Sequence, residues 1–515
     1  MIKTRFAPSP TGDLHIGSLR TALFAYLFAK KNQGEFILRI EDTDQTRYKE
    51  GSVESILQGL AWAGINYDGE IFYQSKRTEI YQKYADELVK NGHAYYCFCS
   101  SETLNEMRKE QEAQKQAPMY DRRCLKLSAE EIDKKLQAGE PYVIRLKIPN
   151  TSPLPSPYKG EGVKGPLPLP RGELERGVIS FPDLIRGQVS FDLKTIDDQV
   201  LIKSDGFPTY HLANVVDDHE MEISHVIRAE EWLPSTPKHI ILYQMFGWTP
   251  PEFAHLSMIL APDKSKLSKR HGATSVLEFK NLGYLPEAVV NYITLLGWNP
   301  GTEQEIFSLS ELESEFDLAK VNKAGAIFDI EKLNWMNGHY IHQKSLDELT
   351  DLCLPFLSPS VIPAQAGIQD FSSGSRVEHG ITNSRDYLKK IVALEQERLK
   401  KLSDITEATE YFFTEPTYEK ELLQWRKSDL NDAKNKLKFL LIELEKVPNE
   451  NWTRSALEQF IKGLIEAEKL DTGAVLWPMR VALSGRKNSP SPFELAEVLG
   501  KEKSLERIKK AINII

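Results

Sequence analysis

Cysteine is scarce in this chain of 515 residues: only Cys97, Cys99, Cys124 and Cys353. So few, so far apart, exclude a small disulfide-stapled scaffold. Long hydrophobic runs are missing too. Every apolar stretch meets a charge within a few residues, so no membrane span is expected. The first residues show no apolar segment ahead of a small-residue cleavage site, so no secretory leader is expected and the cytoplasm is the expected location. Surplus positive charge is also absent: 65 Lys and Arg face 74 Asp and Glu, for a net charge of −9. A nucleic acid must therefore be met by a local basic patch. Residues 385–401 offer one, with Arg385, Lys389, Lys390, Arg398, Lys400 and Lys401, although such runs equally serve as solvated helix faces.

What is present fits a soluble, multidomain protein, with 41% hydrophobic and 27% charged residues in a chain too long for one core. Near its start stands Pro8-Ser9-Pro10-Thr11-Gly12-Asp13-Leu14-His15-Ile16-Gly17. Alternation of Ile2, Thr4 and Phe6 with Lys3 and Arg5 predicts a strand before it, and Leu19, Ala22, Leu23, Tyr26 and Leu27 predict a helix after it. A strand, a tight turn and a helix would aim free backbone N–H groups at one spot, which suits a polyphosphate. Gly17 would let a flat ring approach the backbone, and His15 could donate to a phosphate oxygen. An unliganded turn has the same spelling. A second strand over residues 35–41 ends at Glu41, Asp42, Thr43 and Asp44. Strands alternating with helices predict a parallel, doubly wound sheet, whose ligands sit beyond the strands' carboxyl ends.

From about residue 66 helical segments interleave with strand-like runs, as in an insertion between two halves of that sheet. Ser128 and Glu131 spell a capping box. Cys97, Cys99 and Cys124 have a zinc-like spacing, but a structural site needs a fourth ligand. Lys126 stands where a His would complete the set, leaving Tyr120, Asp121 or His93 as substitutes, or three plain thiols. Residues 150–177 and 358–384 are rich in Pro, Gly and Ser and predict exposed loop insertions. The strand pieces at 143–148 and 178–181 are expected to join without the first of them.

Residues 200–260 return to the sheet pattern. Tyr210 and Asn214 share a helix face, adjacent Asp217 and Asp218 splay too far to share a metal, and Arg228, Glu231 and Trp232 follow a strand at 224–228. A further strand is expected at 256–260. It leads into Asp263-Lys264-Ser265-Lys266-Leu267-Ser268-Lys269-Arg270-His271-Gly272, where four cations fall within seven residues. Mobile ammonium groups stabilise charge developing on the phosphates of ATP during attack; a merely basic surface loop would read alike. Beyond about residue 310 the pattern is helical, including one helix over 494–514.

His15-Ile16-Gly17-Ser18 and Lys266-Leu267-Ser268-Lys269-Arg270 together resemble the two signatures of class I aminoacyl-tRNA synthetases. With Phe6-Ala-Pro-Ser-Pro-Thr-Gly-Asp-Leu-His-Ile-Gly17, Arg39-Ile-Glu-Asp-Thr-Asp44 and the helix from Tyr210 to Asp218, the chain resembles the bacterial-type glutamyl-tRNA synthetases over nearly its whole length, the two insertions excepted. Ser18 replaces the usual His, as is common in that branch. The resemblance implies a Rossmann-type α/β domain with a doubly wound parallel sheet, an inserted α+β domain and all-α C-terminal domains. The expected boundaries are 1–75, 76–200, 201–320 and 321–515.

The resemblance also implies ATP-dependent activation of glutamate, transfer to the terminal ribose of tRNA(Glu), magnesium with the ATP, and a monomer. Ala7, His15, Gly17, Glu231, Trp232 and Lys269 would bind ATP, with Lys266 and Lys269 on the phosphates. Arg5, Ser9, Glu41, Tyr210, Asn214 and Arg228 would bind glutamate, and Thr43 and Asp44 would face the tRNA 3′ end. Charging of tRNA(Gln) stays open, as does zinc at Cys97, Cys99 and Cys124. The competing readings are a glutaminyl-tRNA synthetase or another nucleotidyltransferase on the same sheet, a truncated enzyme modifying a tRNA base, and a non-catalytic tRNA-binding paralogue.

Overall fold

The alternating pattern at the start folds as β1 (Lys3–Phe6), followed by helix α1 (Ile16–Lys31) and β2 (Glu35–Ile40). Buried Leu19, Ala22, Leu23 and Leu27 give α1 the apolar face that covers the sheet. β1 pairs in parallel with β2, and β2 with β3 (Phe72–Tyr73). The structure is a computed structural model and describes residues 1–149, 177–357, 385–426 and 428–515, with backbone only at Lys269. The expected loop insertions, 150–177 and 358–384, lie outside the described residues save Gly177.

The chain divides into two units, Met1–Phe279 with Val289–Asp329, and Lys280–Ala288 with Ile330–Ile515. In the first, β4 (Ala94–Cys97), β5 (Val143–Leu146) and β8 (Val200–Ile202) form a separate antiparallel sheet. The capping box forms as spelled, with Ser128 and Glu131 bonded reciprocally. β6 (Val178–Asp183), β7 (Gly187–Asp192), β9 (His225–Ala229) and β10 (Glu252–Leu256) build another sheet in the order β7-β6-β10-β9. β5 and β6 thus belong to different sheets and do not join, because β5 pairs with β4 while β6 takes β7 and β10.

β1 and β9 meet through Ser224. Its N–H donates to the Lys3 carbonyl at 2.9 Å and its hydroxyl oxygen accepts from the Lys3 N–H at 2.8 Å. The parallel strands therefore run β3-β2-β1-β9-β10-β6, a doubly wound arrangement whose order reverses between β1 and β9. Ligands bind at such a reversal. The strand expected at 256–260 divides instead: β10 ends at Leu256, and β11 (Ile259–Leu260) pairs with β12 (Ala326–Ile327).

The second unit is helical, with no strand among its described residues. The helix expected over 494–514 is two, Pro492–Leu499 and Lys501–Ile514, because Gly500 takes φ 78° and ψ 166°, which ends the first helix and caps the second. Buried Arg507 donates to the carbonyls of Leu483, Tyr411 and Thr414, tying helix ends together. Five cations of the basic run are already paired: Arg385 with Asp351, Lys389 with Asp347, Arg398 with Glu395, Lys400 with Glu331 and Lys401 with Asp404. No helix among the described residues is long and apolar enough to cross a membrane.

Candidate active site

The opening motif and the basic loop are stitched together by their backbones. Ile16 N–H donates to the Thr274 carbonyl and Val276 N–H to the Leu14 carbonyl, each at 2.8 Å, with His15 bridged antiparallel to Ser275. The basic loop grows from a hairpin in which Leu267 N–H donates to Ile259 O and Ala261 N–H to Ser265 O. A single helical turn, Lys269–His271, follows, and residues 274–276 then dock beside His15. The Lys269 side chain lies outside the described atoms. Lys266 Nζ is 2.7 Å from Glu231, both ends exposed. Such a surface pair is worth at most about 1 kcal/mol, so Lys266 is readily exchanged onto a phosphate.

The end of α1 differs from the expectation of free amides. His15 is the N-cap, and its Nδ1 accepts from Gly17 N–H at 3.2 Å and Ser18 N–H at 3.4 Å, while Thr274 takes Ile16 N–H. A Cβ at Gly17 would sit 3.1 Å from the His15 ring, so the ring that approaches this glycine is the chain's own. With Nδ1 accepting, the proton of a neutral imidazole resides on Nε2, now 3.1 Å from Ser18 Oγ. Partial burial, and then Lys266, hold His15 below its ordinary pKa against the pull of Glu231. The groups here with a proton to offer an anion are His15 Nε2–H and the loop cations.

Beneath this lies a buried charge cluster. Arg5 meets Asp218 through Nε at 3.1 Å and Nη2 at 3.4 Å, and Nη2 also reaches Asn214 Oδ1 at 3.3 Å. Arg39 donates to Asp218 at 2.7 Å, Asn214 at 3.0 Å and Glu41 at 3.2 Å. Asp217 bonds mainly with Gln74, Arg77 and Tyr81, with Arg39 Nε 3.7 Å away. Two arginines thus share one aspartate, and Arg5 Nη1 has no hydrogen-bond partner among the described residues. Glu41 is carried to the strand end by its N–H bond to the Pro8 carbonyl, which brings it beside exposed Ser9. Burial pushes the Glu41 carboxyl up to about 7, against the opposing pull of Arg39 and Arg5.

On the β9 side, buried Arg228 donates through Nη1 to Tyr210 OH at 3.0 Å. Tyr210 packs on half-exposed Trp232 with ring centroids 4.3 Å apart. Ala7 lies just beyond β1 and is partly buried. Thr43 is buried beyond β2, and Asp44 pairs with Arg47 at 2.6 Å on the surface.

The family profile "tRNA synthetases class I (E and Q), catalytic domain" matches residues 1–161 and 172–335, and "Anticodon binding domain" matches 348–512. The chain is 45% identical over its whole length to glutamate–tRNA ligase 2 of Thermoanaerobacter pseudethanolicus, covering 98% of that protein. It is 44% identical to a glutamate–tRNA ligase of Dehalococcoides mccartyi over 99% of this chain and 97% of the relative. A crystal structure of a glutamate tRNA ligase from Elizabethkingia meningosepticum, in complex with its amino acid, superposes with TM-score 0.83 at 37% identity, covering 99% of each chain. The chain belongs to the bacterial-type glutamyl-tRNA synthetases of class I.

Arg39 and Asp218 belong to the same buried cluster of this synthetase, outside the residues its motifs singled out. The signal existed: Asp218 continues the face of Tyr210 and Asn214 at steps of four, and Arg39 shares a strand face with Glu41. Asp183, His255 and Thr236, which surround Arg228, carried no such signal. The thiols do converge. Cys97, Cys99 and Cys124 place their sulfurs within 4.8 Å of one another, and Tyr120 OH lies 3.3 Å from Cys97 and 3.4 Å from Cys99. Asp121 is turned to Arg123, and His93 precedes β4 at the end opposite Cys97. Of the three substitutes for the missing histidine, Tyr120 alone faces the thiols among the described residues. A hydrogen bond with Cys124, foremost, holds the Cys97 thiol below its ordinary pKa against burial, with Tyr120 and Arg145 adding to it. A thiolate beside two thiols and a phenol suits zinc.

Proposed function

We propose that this chain activates L-glutamate with ATP and transfers the glutamyl group to the 3′-terminal adenosine of tRNA(Glu). The observation that carries the reading is the backbone pairing of residues 14–16 with 274–276, which sets the basic loop beside His15 at the sheet's reversal point. Glutamate presents two carboxylates and an ammonium. Arg5 meets one carboxylate through the Nη1 that its protein partners leave free, and Arg228 meets the other through a charge-assisted N–H bond. Glu41 and Ser9 take the ammonium, and Tyr210 and Asn214 orient the two arginines. A pocket built of guanidinium groups favours glutamate over neutral glutamine. The second unit, with no strand among its described residues, likewise argues against the glutaminyl enzyme.

One α-carboxylate oxygen attacks the α-phosphorus of ATP, and pyrophosphate leaves. A terminal ribose hydroxyl then attacks the activated carbonyl, and AMP leaves. No bond to the protein forms, so catalysis is positioning and electrostatics. His15 Nε2–H, Lys266 and Lys269 stabilise the phosphates, Ala7, Gly17, Glu231 and Trp232 border the nucleoside, and magnesium accompanies ATP. Thr43 and Asp44 face the tRNA 3′ end. Zinc at Cys97, Cys99, Cys124 and Tyr120 would clamp the β4 end to the 124 turn, a structural role only. The test is Lys269→Ala in steady-state charging. We expect kcat to fall about 100-fold with glutamate KM changed less than about threefold; equal losses in both refute the loop's role.

A further inference from the structure

Tyr210 is one of several groups that grip Arg228. The arginine's Nε donates to His255 Nε2 at 3.0 Å and its Nη2 to Thr236 Oγ1 at 2.8 Å, while Nη1 lies 3.3 Å from His239 Nδ1. For Nε–H to donate, His255 Nε2 must be a bare acceptor, so the proton of its neutral ring belongs on Nδ1. Nδ1 lies 2.6 Å from Asp183 Oδ2. Burial above all holds His255 down to about 4, so the ring is neutral at physiological pH.

Asp183 has no role in any step derived above. It ends β6, is buried, and spends its Oδ1 on the N–H groups of Ile185 at 3.0 Å and Arg186 at 2.8 Å. Its Oδ2 accepts from the His255 N–H at 3.1 Å as well as from the ring. Both oxygens are thus committed, and the carboxylate can meet the ring only as an acceptor. The polarity of the chain runs one way: backbone to Asp183, Asp183 to His255, His255 to Arg228.

We propose that Asp183 is a positioning residue for glutamate binding, fixing the His255 tautomer and through it the orientation of Arg228. The inference rests on the reading that Arg228 meets a glutamate carboxylate. Replacing Asp183 by Asn inverts the polarity. The Ile185 and Arg186 amides keep an oxygen at Oδ1, which also lies 3.4 Å from the His255 N–H and can keep that bond, so the new NH2 faces His255 Nδ1. The ring must then carry its proton on Nε2, and N–H faces N–H at Arg228. The guanidinium loses the Nε contact that sets its angle, while Thr236 and Tyr210 still hold Nη2 and Nη1 and the charge on Arg228 is unchanged.

The test measures KM for glutamate and for ATP in tRNA(Glu) charging by the full chain. D183N is expected to raise glutamate KM about tenfold and leave ATP KM within about twofold. R228Q raises glutamate KM at least as much, and the D183N/R228Q double variant is no worse than R228Q alone, because the aspartate acts only through the arginine. H255Q stays within about threefold of the parent, since one amide can donate to Asp183 and accept from Arg228. H255L, which cannot accept, reproduces D183N and carries the test should D183N not accumulate folded. Unchanged glutamate KM in D183N or H255L beside a raised one in R228Q overturns the inference. So do multiplying losses in the double variant, an equal rise in ATP KM, or H255Q as impaired as H255L. Unchanged glutamate KM in R228Q removes the assigned role of Arg228 itself, and the inference falls with it.

Discussion

A guanidinium can recognise a carboxylate only if its own orientation is fixed before the substrate arrives. Asp218 does this for Arg5 and Arg39 together, at 0% side-chain exposure. Asp218→Asn leaves two buried arginines short of one charge and is expected to cost roughly 3–5 kcal/mol of stability, read by denaturant unfolding. Glu41 carries the second prediction. Its carboxyl is raised to about 7, so below that pH it is protonated and loses its attraction for the substrate ammonium. Glutamate KM is expected to rise as pH falls from about 8 to about 6, and Glu41→Gln flattens that profile at a high KM. The stability sign is opposite: the raised folded value favours the protonated state, so the stabilisation is fully present below the unfolded carboxyl pKa and is lost as pH rises through about 7. The sequence singled out Arg5, Glu41, Tyr210, Asn214 and Arg228 from local motifs, and the fold joins Arg5 to Asn214 and Arg228 to Tyr210. Asp218 shares the helix face of Tyr210 and Asn214, but its pairing with Arg5 and Arg39 has no local spelling, and Asp183 acquires meaning only from contacts far away in sequence.

Among the elements, the short pairing of residues 14–16 with 274–276 matters most. Val276 is the first residue of the Val276–Asn281 helix, where proline is tolerated. Val276→Pro removes the N–H that holds Leu14 O and little else of the backbone. We expect kcat to drop about tenfold with stability lowered by only about 1–2 kcal/mol; an unchanged kcat would show that the tether does not position the loop. The thiol cluster gives a metal test. Purified chain is expected to hold about one zinc; Cys124→Ser or a strong chelator removes it and lowers Tm, while kcat per folded molecule stays near the parent value. Helix and strand periodicity made most of these elements legible. The break at Gly500 was missed because apolar spacing continues across it, and the separation of β5 from β6 because strand pairing has no local spelling.

On the scale of the whole molecule, the α/β character and the helical second unit follow from periodicity and composition, whereas strand order required the Lys3–Ser224 contact. Residues 162–171 fall between the two matched parts of the catalytic profile. Deleting them is expected to leave charging within about twofold of the parent, with loss of folded chain as the opposing result. The basic run at 385–401 is mostly neutralised by its own acidic neighbours, which the sequence could not show since Asp347, Asp351 and Glu331 lie outside the run. The central claim is that the two stitched motifs enclose one ATP above a pocket made for glutamate. It is tested most directly by offering the full chain purified tRNA(Glu) and tRNA(Gln) with labelled glutamate or labelled glutamine, with and without ATP. The account predicts ATP-dependent glutamylation of tRNA(Glu) and no attachment of glutamine to either tRNA; attachment of glutamine, or no ATP-dependent glutamylation at all, would contradict it.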